Sequence, residues 1–130
     1  MRGLLVPALA VALVATLLSA AYALEKPTVL TPHEGDALGP NYDIEGQMPY
    51  KAFLVVLTDV IRADTGEKLR SVPGIRHWSN DDGTFHFRCA SPRVSLGEKD
   101  TPLIYKVRCF EATPDGNTGP EAVITCKIAD

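Results

Sequence analysis

The sequence predicts an all-β domain: a two-sheet antiparallel β-sandwich of about seven strands. Three observations lead there. Short runs alternate apolar and polar residues with a period of two, as in Thr84-Phe85-His86-Phe87-Arg88-Cys89. Clusters of turn-forming residues, such as Asn80-Asp81-Asp82-Gly83 and Pro114-Asp115-Gly116-Asn117, separate these runs at regular spacing. Beyond the first two dozen residues, no stretch sustains the 3.6-residue period of an amphipathic helix.

The chain opens with one positive charge, at Arg2, then an apolar run over residues 4–18 and the segment Ser19-Ala20-Ala21-Tyr22-Ala23. That layout is a secretory signal peptide over residues 1–23, cut after Ala23. The run is almost long enough for an uncleaved anchor. Pro7 inside it and the small-x-small pattern of Ala21 and Ala23 favour cleavage. Residues 24–130 then form a single domain, secreted or periplasmic, with no further run that could cross a membrane.

Residues 28–31 are the first expected strand, stopped by Pro32 and a turn over residues 33–36. Gly39-Pro40 ends a second short segment. In residues 42–46, Tyr42 and Ile44 should point inward. Residues 47–50 loop around Pro49. Residues 52–61 are nearly all apolar and rich in β-branched side chains, the mark of a central strand. A turn at residues 63–66 leads to an edge strand over 67–72, guarded by Glu67, Lys68 and Arg70. Pro73-Gly74 is read as another turn, and residues 75–78 as a separate short strand. In residues 84–89, Phe85, Phe87 and Cys89 should face inward. Residues 91–102 are long enough to cross between sheets. Residues 103–111 and 121–128 make a terminal hairpin, with Tyr105, Val107 and Cys109 on one face and Lys106 and Arg108 on the other.

Three cysteines, Cys89, Cys109 and Cys126, lie in the exported part, where disulfides form. Pairing the terminal hairpin about Gly116-Asn117 sets Cys109 and Cys126 nearly opposite, within reach of a disulfide. Cys109–Cys126 is therefore the favoured bond, with Cys89 a buried free thiol. A Cys89–Cys109 bond across the core is the runner-up, and three packed thiols is the third arrangement.

A net charge of −3 leaves no basic footprint for nucleic acid. His33, His77 and His86 lack metal-ligand spacing, so no metal or other cofactor is expected. Asp64, Asp81, Asp82 and Asp115 are explained by their turns rather than by calcium. Ser79, His77 and Asp81 supply the residue types of a hydrolase triad but lie too close in sequence to be oriented by separate elements, so no enzyme is expected. Trp78, the single tryptophan, is expected in the core. Exposed instead, with His77, Tyr50 and Tyr42, it would make an aromatic platform for a sugar ring.

The order of Pro27-Thr28-Val29-Leu30-Thr31-Pro32, Gly35, Ile44-Glu45-Gly46, Asp82-Gly83-Thr84-Phe85, Tyr105-Lys106-Val107 and Asp115-Gly116-Asn117 resembles bacterial immunoglobulin-like and fibronectin type III-like modules of secreted and surface proteins. The resemblance spans residues 27–128. It implies an immunoglobulin-like sandwich that serves adhesion, spacing or ligand contact. The expectation is thus an exported interaction module for a protein or cell-surface partner. The alternative is a carbohydrate-binding module built on Trp78, and a third is a secreted inhibitor presenting one rigid loop.

Overall fold

The computed structural model describes residues 23–94 and 102–129. Residues 1–22 of the expected signal segment 1–23, and most of the connection after Ser91, lie outside the described residues. Eight strands are described: β1 (Thr28–Thr31), β2 (Ala37–Leu38), β3 (Asn41–Gln47), β4 (Phe53–Arg62), β5 (Lys68–Trp78), β6 (Thr84–Ala90), β7 (Leu103–Glu111) and β8 (Ala122–Ile128). They form two sheets, β1-β3-β6 and β2-β8-β7-β4-β5. One shared core lies between them. Ile44, Phe85, Phe87 and Cys89 enter it from the first sheet, and Leu54, Val56, Val60, Val107, Cys109, Ile124 and Cys126 from the second.

Alternation places these side chains where the sequence expects them. β3 and β6 bury every second residue, as Tyr42, Ile44, Gly46 and as Phe85, Phe87, Cys89. β4 is buried on both faces along most of its length, which is why its sequence shows almost no alternation. It sits between β7 and β5. Tyr105 adds a fixed point: its hydroxyl donates to the Pro92 carbonyl at 2.7 Å and ties β7 to the segment that leaves β6.

Three expectations are corrected. β5 runs unbroken through Pro73-Gly74 where a turn was expected, with the register slipping between Val56 and Leu57 on its partner. An edge strand loses little there, because the outer side of a proline has no ladder bond to make. The short segment after the first turn is β2, and it pairs in parallel with β8, so the second sheet is not wholly antiparallel. In the terminal hairpin, Cys109 lies across from Ala122 and Cys126 across from Tyr105. The loop does not fold symmetrically about Gly116-Asn117; Ala112 bridges Thr118 instead. The two cysteines are thus offset by four positions, roughly 13 Å along a strand, far beyond a disulfide's reach. All three cysteines are buried free thiols.

Candidate functional site

Among the described strands, β5 and β6 each end their own sheet, and the two edges touch on the same side of the core. The two edges converge at Gly74. A Cβ on that residue would stand 3.3 Å from both Cβ and Sγ of Cys89 and 3.2 Å from the Val56 carbonyl oxygen. Glycine therefore lets the backbone of β5 close down on β6 at this point. Beyond it the edges part around a groove of about 520 Å³, lined by Ile75, His77, Trp78 and Asn80 from one side and Phe85, His86, Phe87 and Arg88 from the other.

The floor is aromatic. Phe85 and Phe87 stack with centroids 5.6 Å apart and planes 17° apart. His77 tilts over Phe87 at 5.9 Å. Asn80 and Thr84 close one end: Asn80 N–H donates to the Thr84 carbonyl at 2.8 Å. The Asp82 carboxylate accepts from the Thr84 hydroxyl at 2.6 Å and from its N–H at 3.0 Å. Those Thr84 bonds hold the Asp82 carboxyl below its ordinary range.

Trp78 is not in the core, as expected from sequence, but 50% exposed. It ends an edge strand and lies directly across from Phe53, while its neighbour His77 lies across from buried Leu54. Directly opposed residues share a face. His77 thus looks toward the groove floor, whereas Trp78 stands on the outer face at the groove mouth. The Phe53 ring meets Trp78 edge-on at 5.5 Å and 70°. Lys51 Nζ lies 5.7 Å above the indole, and the Arg76 guanidinium 5.9 Å above Phe53. Sequence reasoning missed Lys51, Phe53 and Arg76. The one signal was the register that sets Phe53 beside Trp78, and the bulge at Pro73-Gly74 concealed it.

The other expected platform residues are elsewhere. Tyr42 is buried, with its hydroxyl 2.5 Å from Thr58 Oγ1. Tyr50 donates its hydroxyl to Glu111 Oε1 at 2.5 Å, and the same carboxylate lies 3.3 Å from the Glu25 N–H. Tyr50 thereby fastens the incoming chain to the end of β7, away from the groove. Ser79 is equally committed: its oxygen accepts from Ala52 N–H at 2.9 Å and its hydroxyl donates to the Asn80 carbonyl at 3.0 Å. Among the described residues, no three His, Cys, Asp or Glu side chains gather as metal ligands do.

Burial raises the thiols, with Cys109 pushed up to about 12 and Cys126 to about 11. Cys89 and Tyr42 are also raised, chiefly by burial. The unfolded chain releases these protons nearer the ordinary values of 9.0 for a thiol and 10.0 for a phenol. The folded state binds these protons more tightly, so the stability these groups contribute is constant below about pH 9 and falls as pH rises from there toward 12. The expected result is a thermal midpoint level from about pH 6 to 8 that drops steadily above about pH 9. A midpoint unchanged up to about pH 11 would contradict the packing of these groups.

Comparison with protein-family models, with curated proteins and with solved structures returns no match to this chain.

Proposed function

We propose that the chain is an exported, non-enzymatic binding module with an immunoglobulin-like sandwich, and that it contacts a protein or cell-surface partner at the Trp78 end of β5. Three features support the immunoglobulin-like reading. One is the split of β1, β3 and β6 from β8, β7, β4 and β5. Another is the transfer of the first edge to the second sheet by way of β2. The third is Tyr105 near the start of β7, whose hydroxyl bonds back to the Pro92 carbonyl, much as a tyrosine corner does. Export is supported by the leader pattern of residues 1–23.

The observation that carries the functional reading is the half-exposed Trp78, held by Phe53 and flanked by Lys51 and Arg76. Tryptophan and arginine contribute most to binding when rigidly presented at the centre of a contact. The test is affinity capture from cell-surface extracts with the mature chain and with Trp78→Ala. A partner retained by the first and lost by the second is the expected result. Equal retention by both would remove Trp78 from the interface.

Exposure of Trp78 also favours a second reading, a carbohydrate-binding module, because an indole face stacks on a pyranose ring. As the single tryptophan, Trp78 reports its own surroundings. A blue shift of its emission on adding oligosaccharides would support sugar stacking, and an unmoved spectrum across a panel of them would count against it.

A further inference from the structure

Among the described strands, four stand at sheet edges: β1, β2, β5 and β6. Natural edges are blunted against stray pairing by brevity, proline, bulges and charge. β1 has four residues, with a register break before Thr31, and Pro32 follows it. β2 has two residues and is followed by Gly39-Pro40. β5 carries Pro73, a register slip and the cations Lys68, Arg70 and Arg76. β6 has none of the structural devices. It pairs with β3 over seven residues without a slip and contains neither proline nor glycine.

The hydrogen-bond phase of β6 is fixed at both ends. Met48 N–H donates to the Gly83 carbonyl at 2.8 Å, and Ser91 N–H to the Pro40 carbonyl at 2.9 Å, both in register with the β3–β6 ladder. Antiparallel alternation therefore turns the backbone of Phe85, Phe87 and Cys89 toward β3 and that of His86 and Arg88 toward the open side. Thr84, on the same outward phase, has its carbonyl taken by Asn80 N–H. Ala90, also on that phase, lies beyond the groove; His86 and Arg88 are left to offer their N–H and C=O groups to the side where the groove lies.

We propose that this edge is a docking site for an extended peptide of a partner protein, which adds as a strand beside His86 and Arg88 and alternates apolar with acidic residues. The composition follows from the two faces such a strand would present. Its inward side chains would lie over Ile75, Phe85 and Phe87, an apolar floor. Its outward side chains would stand beside His86 and Arg88. Among the described residues no carboxylate lines the groove, although the chain as a whole is acidic. The carboxylates that already face this pair, Asp43 at 3.4 Å from His86 and 3.2 Å from Arg88 and Glu45 at 3.3 Å from His86, belong to β3, on the far side of β6. Self-pairing of two copies about Phe87 would set Arg88 against His86 of the other copy and bring neither guanidinium a carboxylate, which disfavours a second copy as the occupant.

The proposal rests on the protein-binding reading above and deepens it. The probe is a fluorescein-labelled peptide of alternating valine and glutamate, titrated against the mature chain. Two controls are the same peptide N-methylated at alternate residues and one with lysine in place of glutamate. Saturable binding is expected, with at least about tenfold weakening by N-methylation and a comparable weakening with lysine. Amide NMR shifts should centre on His86 and Arg88. On the protein side, His86→Pro removes an N–H that β3 does not use. This variant should keep its melting temperature near wild type and lose binding; the N-methylated peptide makes the same test without altering the protein. Equal binding of all three peptides, or no binding at about 1 mM, would overturn strand addition. If partner capture still depends on Trp78 while no peptide binds, the docking site falls and the binding-module reading stands.

Discussion

Gly83→Ala is expected to destabilise the protein by about 4 kcal/mol, a large part of what holds a domain of this size together. Gly83 has φ of +90° in the turn between Ser79 and Thr84, a region that side-chain-bearing residues seldom enter. Space is the greater obstacle. A Cβ there would stand 2.0 Å from the Met48 carbonyl oxygen and 2.9 Å from the Tyr50 carbonyl oxygen. Both obstacles are backbone, and Met48 is itself tied to Gly83 by the bond that starts the β3–β6 ladder. Gly66→Ala supplies the internal control. Gly66 also has positive φ, +76°, but a Cβ there meets nothing within 4 Å. It should lose only about 1 kcal/mol, the conformational cost alone. Urea unfolding of the two variants separates the effects, and equal losses would show that the turn around Gly83 is not packed as described.

Arg108→Met is expected to cost about 3 kcal/mol through the charge it strands. Arg108 leans from β7 over Asp59 of β4, with Nε 2.8 Å from Oδ2 and Nη2 3.2 Å from Oδ1. Nη1 donates to Glu121 Oε1 at 3.0 Å. Asp59 is 4% exposed, so water cannot replace the guanidinium. The paired variant Asp59→Val with Arg108→Met should recover most of the loss, because removing both partners leaves no buried charge. A double-mutant cycle in urea measures this coupling. If the double variant is as unstable as the sum of the singles, the loss comes from packing of the arginine stem and not from the ion pair.

The sequence was most legible where a strand had one wet face and one dry face. β3, β6 and the two strands of the terminal hairpin could be read because alternation records that asymmetry directly. β4 could be read by its length and its β-branched residues. Three things could not. The register of β7 and β8 depends on how the loop closes, and its turn-rich residues are compatible with several closures, so Cys109 and Cys126 were set opposite one another. Pro73-Gly74 looked like a turn because its residues break central strands, yet an edge strand tolerates both. Trp78 looked like core because large aromatics fill small cores. What decides its exposure is that, among the described residues, nothing beyond β5 covers that face, and local sequence carries no trace of an absent neighbour. His77, at the groove, and Tyr50, at the chain entry, were placed in one cluster by composition and are separated by the fold.

The parallel contact between β2 and β8 has a mechanical meaning. Gly35 N–H donates to the Thr125 carbonyl, Lys127 N–H to the Asp36 carbonyl and Ala129 N–H to the Leu38 carbonyl, at 2.8, 2.8 and 2.9 Å. Tension applied through the two ends of the domain drags these strands lengthwise past each other. The three bonds then carry the load together in shear, whereas an antiparallel hairpin pulled from its open end peels apart one rung at a time. The last strand is thereby latched to an early one: once β1 is drawn off β3, a pull along the chain meets this latch before the remaining strands of either sheet can separate.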